Sequence, residues 1–231
     1  MPSEIHLSRV GGVAAIVGAV VLLAATMLHP LDADPNDAAA AFAEYTLDPY
    51  WLASHLGQLL GVVLIVAGLV ALSWKLRAGR AGAWALLAGL TAVASLSLAA
   101  ALQAVDGVAL KFMVDRWASA PSNLEAASFE AAFGVRQVEI GFASMMGMLF
   151  GLTVILYGVA ILLSEGRIGA WLGILGAAAG AATLVSSIVQ AHTGFSSLAM
   201  ATSMPSTLLL LLWTVCAGVL LLRTAASVTR M

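Results

Sequence analysis

The fold is decided by the stretch RAGAWALLAGLTAVASLSLAAALQAVDG, residues 80–107, because the chain carries a second copy of its pattern. The second copy, RIGAWLGILGAAAGAATLVSSIVQAHTG, occupies residues 167–194 and keeps the arginine, the tryptophan, the glutamine and three glycines in register. A fainter version of the same arginine and glycine spacing begins at Arg9. Repetition of apolar segments is typical of membrane proteins built from related helices. We therefore predict internally repeated helical hairpins.

The composition is that of a membrane protein. Of the 231 residues, 61% are hydrophobic and 10% are charged, whereas a soluble domain carries about 25% charged residues. A membrane-spanning helix needs about 20 consecutive apolar residues. Six segments meet this requirement, near residues 10–29, 51–74, 82–105, 138–163, 169–191 and 206–223. Because lipid offers no hydrogen-bond partners to the backbone, all six should be helices.

These segments predict an all-α integral membrane protein in which residues 1–231 form a single six-helix membrane domain. The connections on one side are longer and carry helix-starting signals, and they run over residues 30–50, 106–137 and 192–205. We expect these outer loops to form a small helical cap over one face of the membrane domain.

The distribution of lysine and arginine predicts the orientation, because cytoplasmic loops carry an excess of both residues. Placing the N-terminus inside leaves seven of the ten basic residues in the cytoplasm. They are Arg9, Lys75, Arg77, Arg80, Arg167, Arg223 and Arg230. We predict a multi-pass protein of the plasma (inner) membrane with both termini cytoplasmic. The high alanine content favours a bacterial source with a GC-rich genome.

The sequence also limits the classes of partner that this protein can have. The lipid bilayer is the expected partner, and self-association into a homo-oligomer or entry into a larger membrane complex stays open. The net charge of −2 provides no basic surface for nucleic acid. The chain has neither a nucleophile elbow nor a phosphate-binding glycine loop, so the motifs do not decide whether it is an enzyme.

Polar side chains near one end of the spans are the candidates for a site, because such residues are costly within a membrane and are commonly functional. Residues three apart share a helix face, which pairs His55 with Gln58 and Gln103 with Asp106. The short link at residues 75–81 makes neighbours of the helices that carry these pairs. The predicted lining of an outward-facing polar cavity is His55, Gln58, Gln103, Asp106, Glu139 and Gln190.

Three kinds of cofactor fit subsets of these residues. Nitrogen and oxygen ligands for zinc or iron are offered by His29, His55, Asp106 and Glu139. The two histidines, on separate helices, are also typical ligands of a b-type haem. Methionine thioethers in the same half of the protein would suit copper(I) together with histidine. None of the three has a diagnostic motif, since the sequence contains no HExxH and no CxxCH.

Three functional hypotheses follow. The preferred one is a membrane protein that binds a metal ion or haem, as a subunit of a redox complex. The second is a transporter or channel for a small solute, or one coupled to protons, in which Asp106 and Glu139 titrate. The third is a structural membrane subunit without a ligand, in which glutamines bridge helices and the acids pair with Arg136 or Lys111.

Overall fold

The computed structural model describes residues 2–30, 32–164 and 169–228. Every regular element within these ranges is a helix. Six helices are long and apolar enough to cross a membrane, which confirms that part of the prediction. They cover Glu4–Met27, Trp51–Lys75, Ala81–Ala118, Glu125–Leu163, Ala170–Thr193 and Ser197–Ala226. Two of the arginines used to predict the orientation, Arg167 and Arg230, lie outside the described residues.

Eight α-helices and one π-helical segment make up the described chain. The helices are α1 (Pro2–Met27), α2 (Ala38–Leu47), α3 (Trp51–Lys75), α4 (Ala81–Gln103), α5 (Lys111–Ala118), α6 (Glu125–Leu163), α7 (Ala170–Thr193) and α8 (Ser197–Val228). The π-helical segment, Ala104–Leu110, continues α4 directly into α5. Helix α2, the π segment, α5 and the first turns of α6 pack together at one end of the bundle, which we call the α2 end.

The outer surface of the long helices is apolar, as a lipid-facing surface requires. Large hydrophobic side chains are exposed on each long helix, among them Val20, Leu60, Leu90, Leu152, Ile174 and Leu212. A bilayer is the environment that accommodates this much exposed apolar surface on helices of such length.

Glycines bring two pairs of long helices into close contact. A Cβ added to Gly61 of α3 would lie 2.7 Å from Leu22 on α1, and one added to Gly151 of α6 would lie 2.7 Å from the carbonyl oxygen of Gly180 on α7. Small residues allow such backbone approach in membrane helices. Gly61 packs on the helix that precedes its own in the long-helix order, whereas Gly151 packs on the helix that follows its own, so these contacts do not test the repeat. The internal repeat therefore stays a prediction.

A buried tyrosine ties three helices together in the core. Tyr157 of α6 donates its hydroxyl hydrogen to the carbonyl oxygen of Leu69 on α3 at 2.7 Å. Its oxygen also lies 2.7 Å from Oγ of Ser73, and that serine donates to the carbonyl oxygen of Ala85 on α4. Buried polar groups need such partners. This network fixes α3 and α4 relative to each other, and the same two helices carry the candidate site.

Helix α2 is held at the end of the bundle by its cap and by aromatic contacts. The carboxylate of Asp37 accepts the backbone N–H groups of Ala39 and Ala40, which is the usual N-cap arrangement. Phe42 is fully buried and packs against Trp117 of α5 and Phe129 of α6. The predicted loop 30–50 thus contains a helix that is packed on the membrane domain.

Helix α8 is longer than predicted. It begins at Ser197, so much of the predicted loop 192–205 is helical. The Ser196 hydroxyl accepts the N–H of Ala199, which supplies the cap that starts the helix. Pro205 lies inside the helix instead of ending it. Proline is tolerated in membrane helices because neighbouring groups satisfy the backbone carbonyl that it leaves free.

Candidate functional site

His55 and Asp106 lie side by side at the α2 end. His55 is in the second turn of α3, and Asp106 is in the π segment that follows α4. The Nε2 atom of His55 is 3.0 Å from Oδ2 of Asp106. The histidine side chain is only 1% exposed, and the aspartate side chain is 15% exposed. An imidazole and a carboxylate therefore meet in a largely dehydrated position.

The π segment brings Asp106 to this position. Its turns are wider than those of an α-helix, and π-helical turns are frequently found at functional sites. Gly107 packs directly against the imidazole, since an added Cβ would lie 2.6 Å from Cβ of His55. The indole N–H of Trp51 donates to the carbonyl oxygen of Gly107 at 3.1 Å. The first turn of α3 thus fastens the segment that carries the aspartate.

His29 completes a group of three. It follows the end of α1, and its ring centre is 5.3 Å from that of His55. One potential ligand atom from each of His29, His55 and Asp106 lies within 4.8 Å of the other two. Donor atoms bound to one zinc ion at about 2.1 Å lie roughly 3–3.5 Å apart. Side-chain movements of about one ångström would therefore bring these three groups onto a single ion.

Backbone carbonyls assign the tautomers of both histidines. Nδ1 of His55 lies 2.7 Å from the carbonyl oxygen of Trp51, and Nδ1 of His29 lies 2.9 Å from that of Pro30. A carbonyl oxygen only accepts, so each Nδ1 is the donor, and in the neutral ring Nε2 then carries the lone pair. Burial also lowers the pKa of His29 below its usual value, which favours the neutral ring. Metal-binding histidines typically donate their second nitrogen in this way.

The contact between His55 and Asp106 is close but poorly directed for a hydrogen bond. Within the described residues, Nε2 of His55 has no partner that satisfies hydrogen-bond geometry, although the carboxylate oxygen is 3.0 Å away. Such a contact is a weak hydrogen bond at best, because hydrogen bonds weaken steeply when they are bent. A lone pair facing a carboxylate is repulsive unless a cation lies between them. The geometry calls for either a proton or a metal ion.

Two aromatic rings pack against the group formed by His29, His55 and Asp106. Trp51 packs over His55 with ring centres 4.5 Å apart, and Tyr45 of α2 packs on Trp51 at 4.4 Å. Both rings also contact His29. They keep water from the imidazoles, and low local polarity strengthens any electrostatic interaction there.

The three predicted glutamines do not all lie together. Nε2 of Gln103 donates to Oε1 of Gln58 at 3.1 Å, which bridges α4 and α3. Oε1 of Gln103 is buried without a partner among the described residues. Gln190 of α7 does not line the cavity that Gln58 borders, and its buried Nε2 also lacks a partner in the described chain. The structure therefore brings together the first two glutamines but not the third.

Arg136 and Glu139 lie one turn apart on α6 and are both buried. Arg136 donates from Nη1 to the Tyr45 hydroxyl and from Nη2 to the carbonyl oxygen of Pro35. Glu139 is outside the group formed by the two histidines and Asp106. Neither acid is within ion-pair distance of Arg136 in the described chain, and Lys111 pairs with Asp115. The pairing suggested for a structural role is thus not seen.

A cavity of about 270 Å³ lies at the α2 end, and His55 and Gln103, like Gln190, do not line it. Its polar lining includes His29, Glu44, Gln58, Asp106, Arg136 and Glu139, and its apolar walls include Leu102, Ala143, Phe195 and Met200. The sequence analysis did not identify Tyr45, Trp51 or Gly107 as parts of the site. Trp51 lies one turn before His55 and Tyr45 lies on the preceding helix, so no local pattern marks either as part of a site, and a single glycine does not reveal a π turn.

Comparisons with protein-family models, with curated proteins and with solved structures find no match for this chain. Function is therefore inferred from the geometry of the site.

Proposed function

We propose that this membrane protein binds a divalent transition-metal ion through His29, His55 and Asp106. The observation that carries the proposal is the group of three ligand atoms within 4.8 Å, in which both histidines have Nδ1 bound to a carbonyl oxygen. A metal ion between the two groups would also explain why Nε2 of His55 and the carboxylate of Asp106 lie only 3.0 Å apart. The metal supplies the positive charge between them.

The donor set favours zinc or iron(II). Two histidines and one carboxylate are the ligands of many zinc sites and of non-haem iron sites, and both kinds keep open coordination positions. Copper(I) prefers thiolate and thioether ligands, and the aspartate is a poor match for it. Haem fits less well, because Asp106 lies within 4.8 Å of both histidines, where the porphyrin would have to pass. Open positions on the ion would serve a ligand in the cavity or a redox partner.

Metal titration of the full-length protein tests the proposal. The protein is purified in detergent, stripped with a chelator and titrated with Zn²⁺, and with Co²⁺ as a coloured substitute. We expect one ion per chain, with affinity lowered at least about tenfold by His55→Ala, His29→Ala or Asp106→Asn. The matched controls are His192→Ala and Asp115→Asn, which change exposed residues at the same end. Equal binding by the site variants and the controls would contradict the proposal.

The 3.0 Å separation of His55 and Asp106 also supports a second candidate, in which a proton on His55 supplies the positive charge of an ion pair. This is the arrangement expected of a proton-coupled transporter or channel. Such a protein would bind no stoichiometric metal ion, and in proteoliposomes Asp106→Asn would abolish proton movement that a pH gradient drives in the wild type. Metal binding without proton movement favours the first candidate, and the reverse result favours the second.

We further propose that the α2 end faces away from the cytoplasm, so that α2 and its neighbours form an outer cap and both termini lie inside. The concentration of lysine and arginine at the opposite end supports this orientation. A membrane-impermeant thiol reagent tests it on single-cysteine variants of Cys216→Ser. Asn36→Cys should react in intact cells, and Ala78→Cys should react only after lysis.

A further inference from the structure

Arg136 is a buried cation that lacks a close counter-charge. It is 2% exposed, and the rings of Phe42, Tyr45 and Phe195 surround its guanidinium at 5.0–5.6 Å. Two of its nitrogens bond the Tyr45 hydroxyl and the Pro35 carbonyl oxygen. In the part of the chain that the structure describes, no carboxylate lies within 4.0 Å of it. An uncompensated buried charge of this kind is costly.

Glu139 presents the complementary feature. It is 6% exposed, and its Oε2 atom is buried with no hydrogen-bond partner among the residues described. It borders the same cavity as Arg136. The other glutamate of the lining, Glu44, already accepts the backbone N–H groups of Asp32 and Ala33 with its two oxygens. Glu139 is therefore the acid whose acceptor capacity is unused.

We propose that the cavity binds a small zwitterion, with its carboxylate on Arg136 and its ammonium group on Glu139. One such ligand supplies an anion to the buried guanidinium and hydrogen-bond donors to the buried carboxylate. A simple anion would leave Oε2 of Glu139 without a donor, and a simple amine would leave Arg136 without an anion. Arginine is well suited to carboxylates because its planar fork binds both oxygens.

The apolar walls define the rest of the ligand. Leu102, Ala143, Phe195 and Met200 would contact a small aliphatic side chain. A volume of about 270 Å³ accommodates a molecule of the size of one amino acid. The proposal does not depend on the metal, because neither Arg136 nor Glu139 belongs to the group of three ligands.

A second cavity adjoins this one at Arg136. Pro35, Arg136 and Phe195 also border the second cavity, of about 380 Å³, which is lined by Asn36, Gln137, His192 and Thr193. His192 and Thr193 are exposed at the surface of the α2 end.

Leucine and two analogues test the proposal on metal-free, full-length protein by calorimetry and thermal unfolding. The probe 4-methylvalerate lacks the amine, and 3-methylbutylamine lacks the carboxylate. Leucine should bind and raise the melting temperature, and each analogue should bind at least about tenfold more weakly. Absence of leucine binding, or equal binding of either analogue, would overturn the proposal.

Substitutions of Arg136 and Glu139 test the two proposed contacts with the ligand. Glu139→Gln should remove the advantage of leucine over 4-methylvalerate, and Arg136→Lys should weaken both. Glu130→Gln and Arg116→Lys are exposed controls that should leave leucine binding unchanged. If Arg136→Lys does not fold, Glu139→Gln alone decides, and an unchanged preference for leucine overturns the assignment. Glu139→Gln should keep wild-type zinc affinity, so failure of this proposal and failure of the metal site are distinguishable.

Discussion

Gly107 lies directly against His55, so closely that a Cβ on the glycine would be 2.6 Å from Cβ and 2.9 Å from Cγ of the histidine. The two residues come from α3 and from the π segment after α4. Their contact sets the distance between those elements at the α2 end. Because Asp106 immediately precedes Gly107, the same contact places the carboxylate beside the imidazole.

Replacing Gly107 with alanine should therefore disrupt the site. The added methyl group must push His55 or the π segment aside, at a cost of about 1–3 kcal/mol in the free energy of unfolding. Zinc affinity should fall by about tenfold or more, since ligand orientation is lost. Thermal unfolding and metal titration measure the two effects.

The control for this substitution is Gly134→Ala on α6, where nothing lies within 4 Å of the new Cβ. It should leave both quantities unchanged or raise stability slightly, because alanine is the better helix former. Wild-type zinc affinity in Gly107→Ala would show that the packing does not hold the site.

Trp51→Phe tests the fastening of the π segment. Phenylalanine keeps an aromatic ring over His55 but cannot donate to the carbonyl oxygen of Gly107. We expect a loss of about 1 kcal/mol in stability, together with weaker zinc binding. Trp74→Phe, which changes a half-exposed tryptophan at the opposite end, should leave zinc binding intact. Equal effects of the two substitutions would count against a role for the indole N–H.

Tyr157→Phe should lower the free energy of unfolding without changing ligand binding at the α2 end. It removes the hydroxyl that bonds the Leu69 carbonyl oxygen and Ser73 in the core, at a cost of about 1–2 kcal/mol. Because the network fixes α3 and α4 far from the α2 end, zinc and leucine affinity should stay at wild-type values. Tyr50→Phe, at an exposed tyrosine, serves as the control in thermal unfolding.

Gly151→Ala should separate α6 from α7. Its new Cβ would meet the Gly180 carbonyl oxygen at 2.7 Å and the backbone nitrogen of Leu184 at 2.8 Å, and backbone atoms cannot move aside as a side chain can. We expect a loss of about 1–3 kcal/mol. Gly141→Ala, on the same helix with open space around it, should not destabilise the protein. A stable Gly151→Ala variant would mean that the helices tolerate a wider separation.

Several elements could be predicted from the sequence because they depend on local chemistry. The six membrane helices follow from runs of apolar residues that lipid forces into helices. The neighbouring positions of His55 and Asp106 could be expected as well, because the short link at residues 75–81 sets their helices side by side. The start of α8 at Ser197 could not be predicted, because a serine-rich stretch before a proline is typical of a loop.

The sequence by itself determined that the chain forms six helices long and apolar enough to span a membrane, and which polar side chains gather at one end, since both follow from hydrophobicity and from the length of a helical turn. Only the tertiary structure decided the composition of the site. It joined His29 to His55 and Asp106, left Glu139 outside that group, and left Gln190 away from the cavity. The physical reason is that these outcomes depend on helix rotation at the π segment and on the packing of Tyr45 and Trp51. Contacts between distant parts of the chain set both, and no local pattern encodes them.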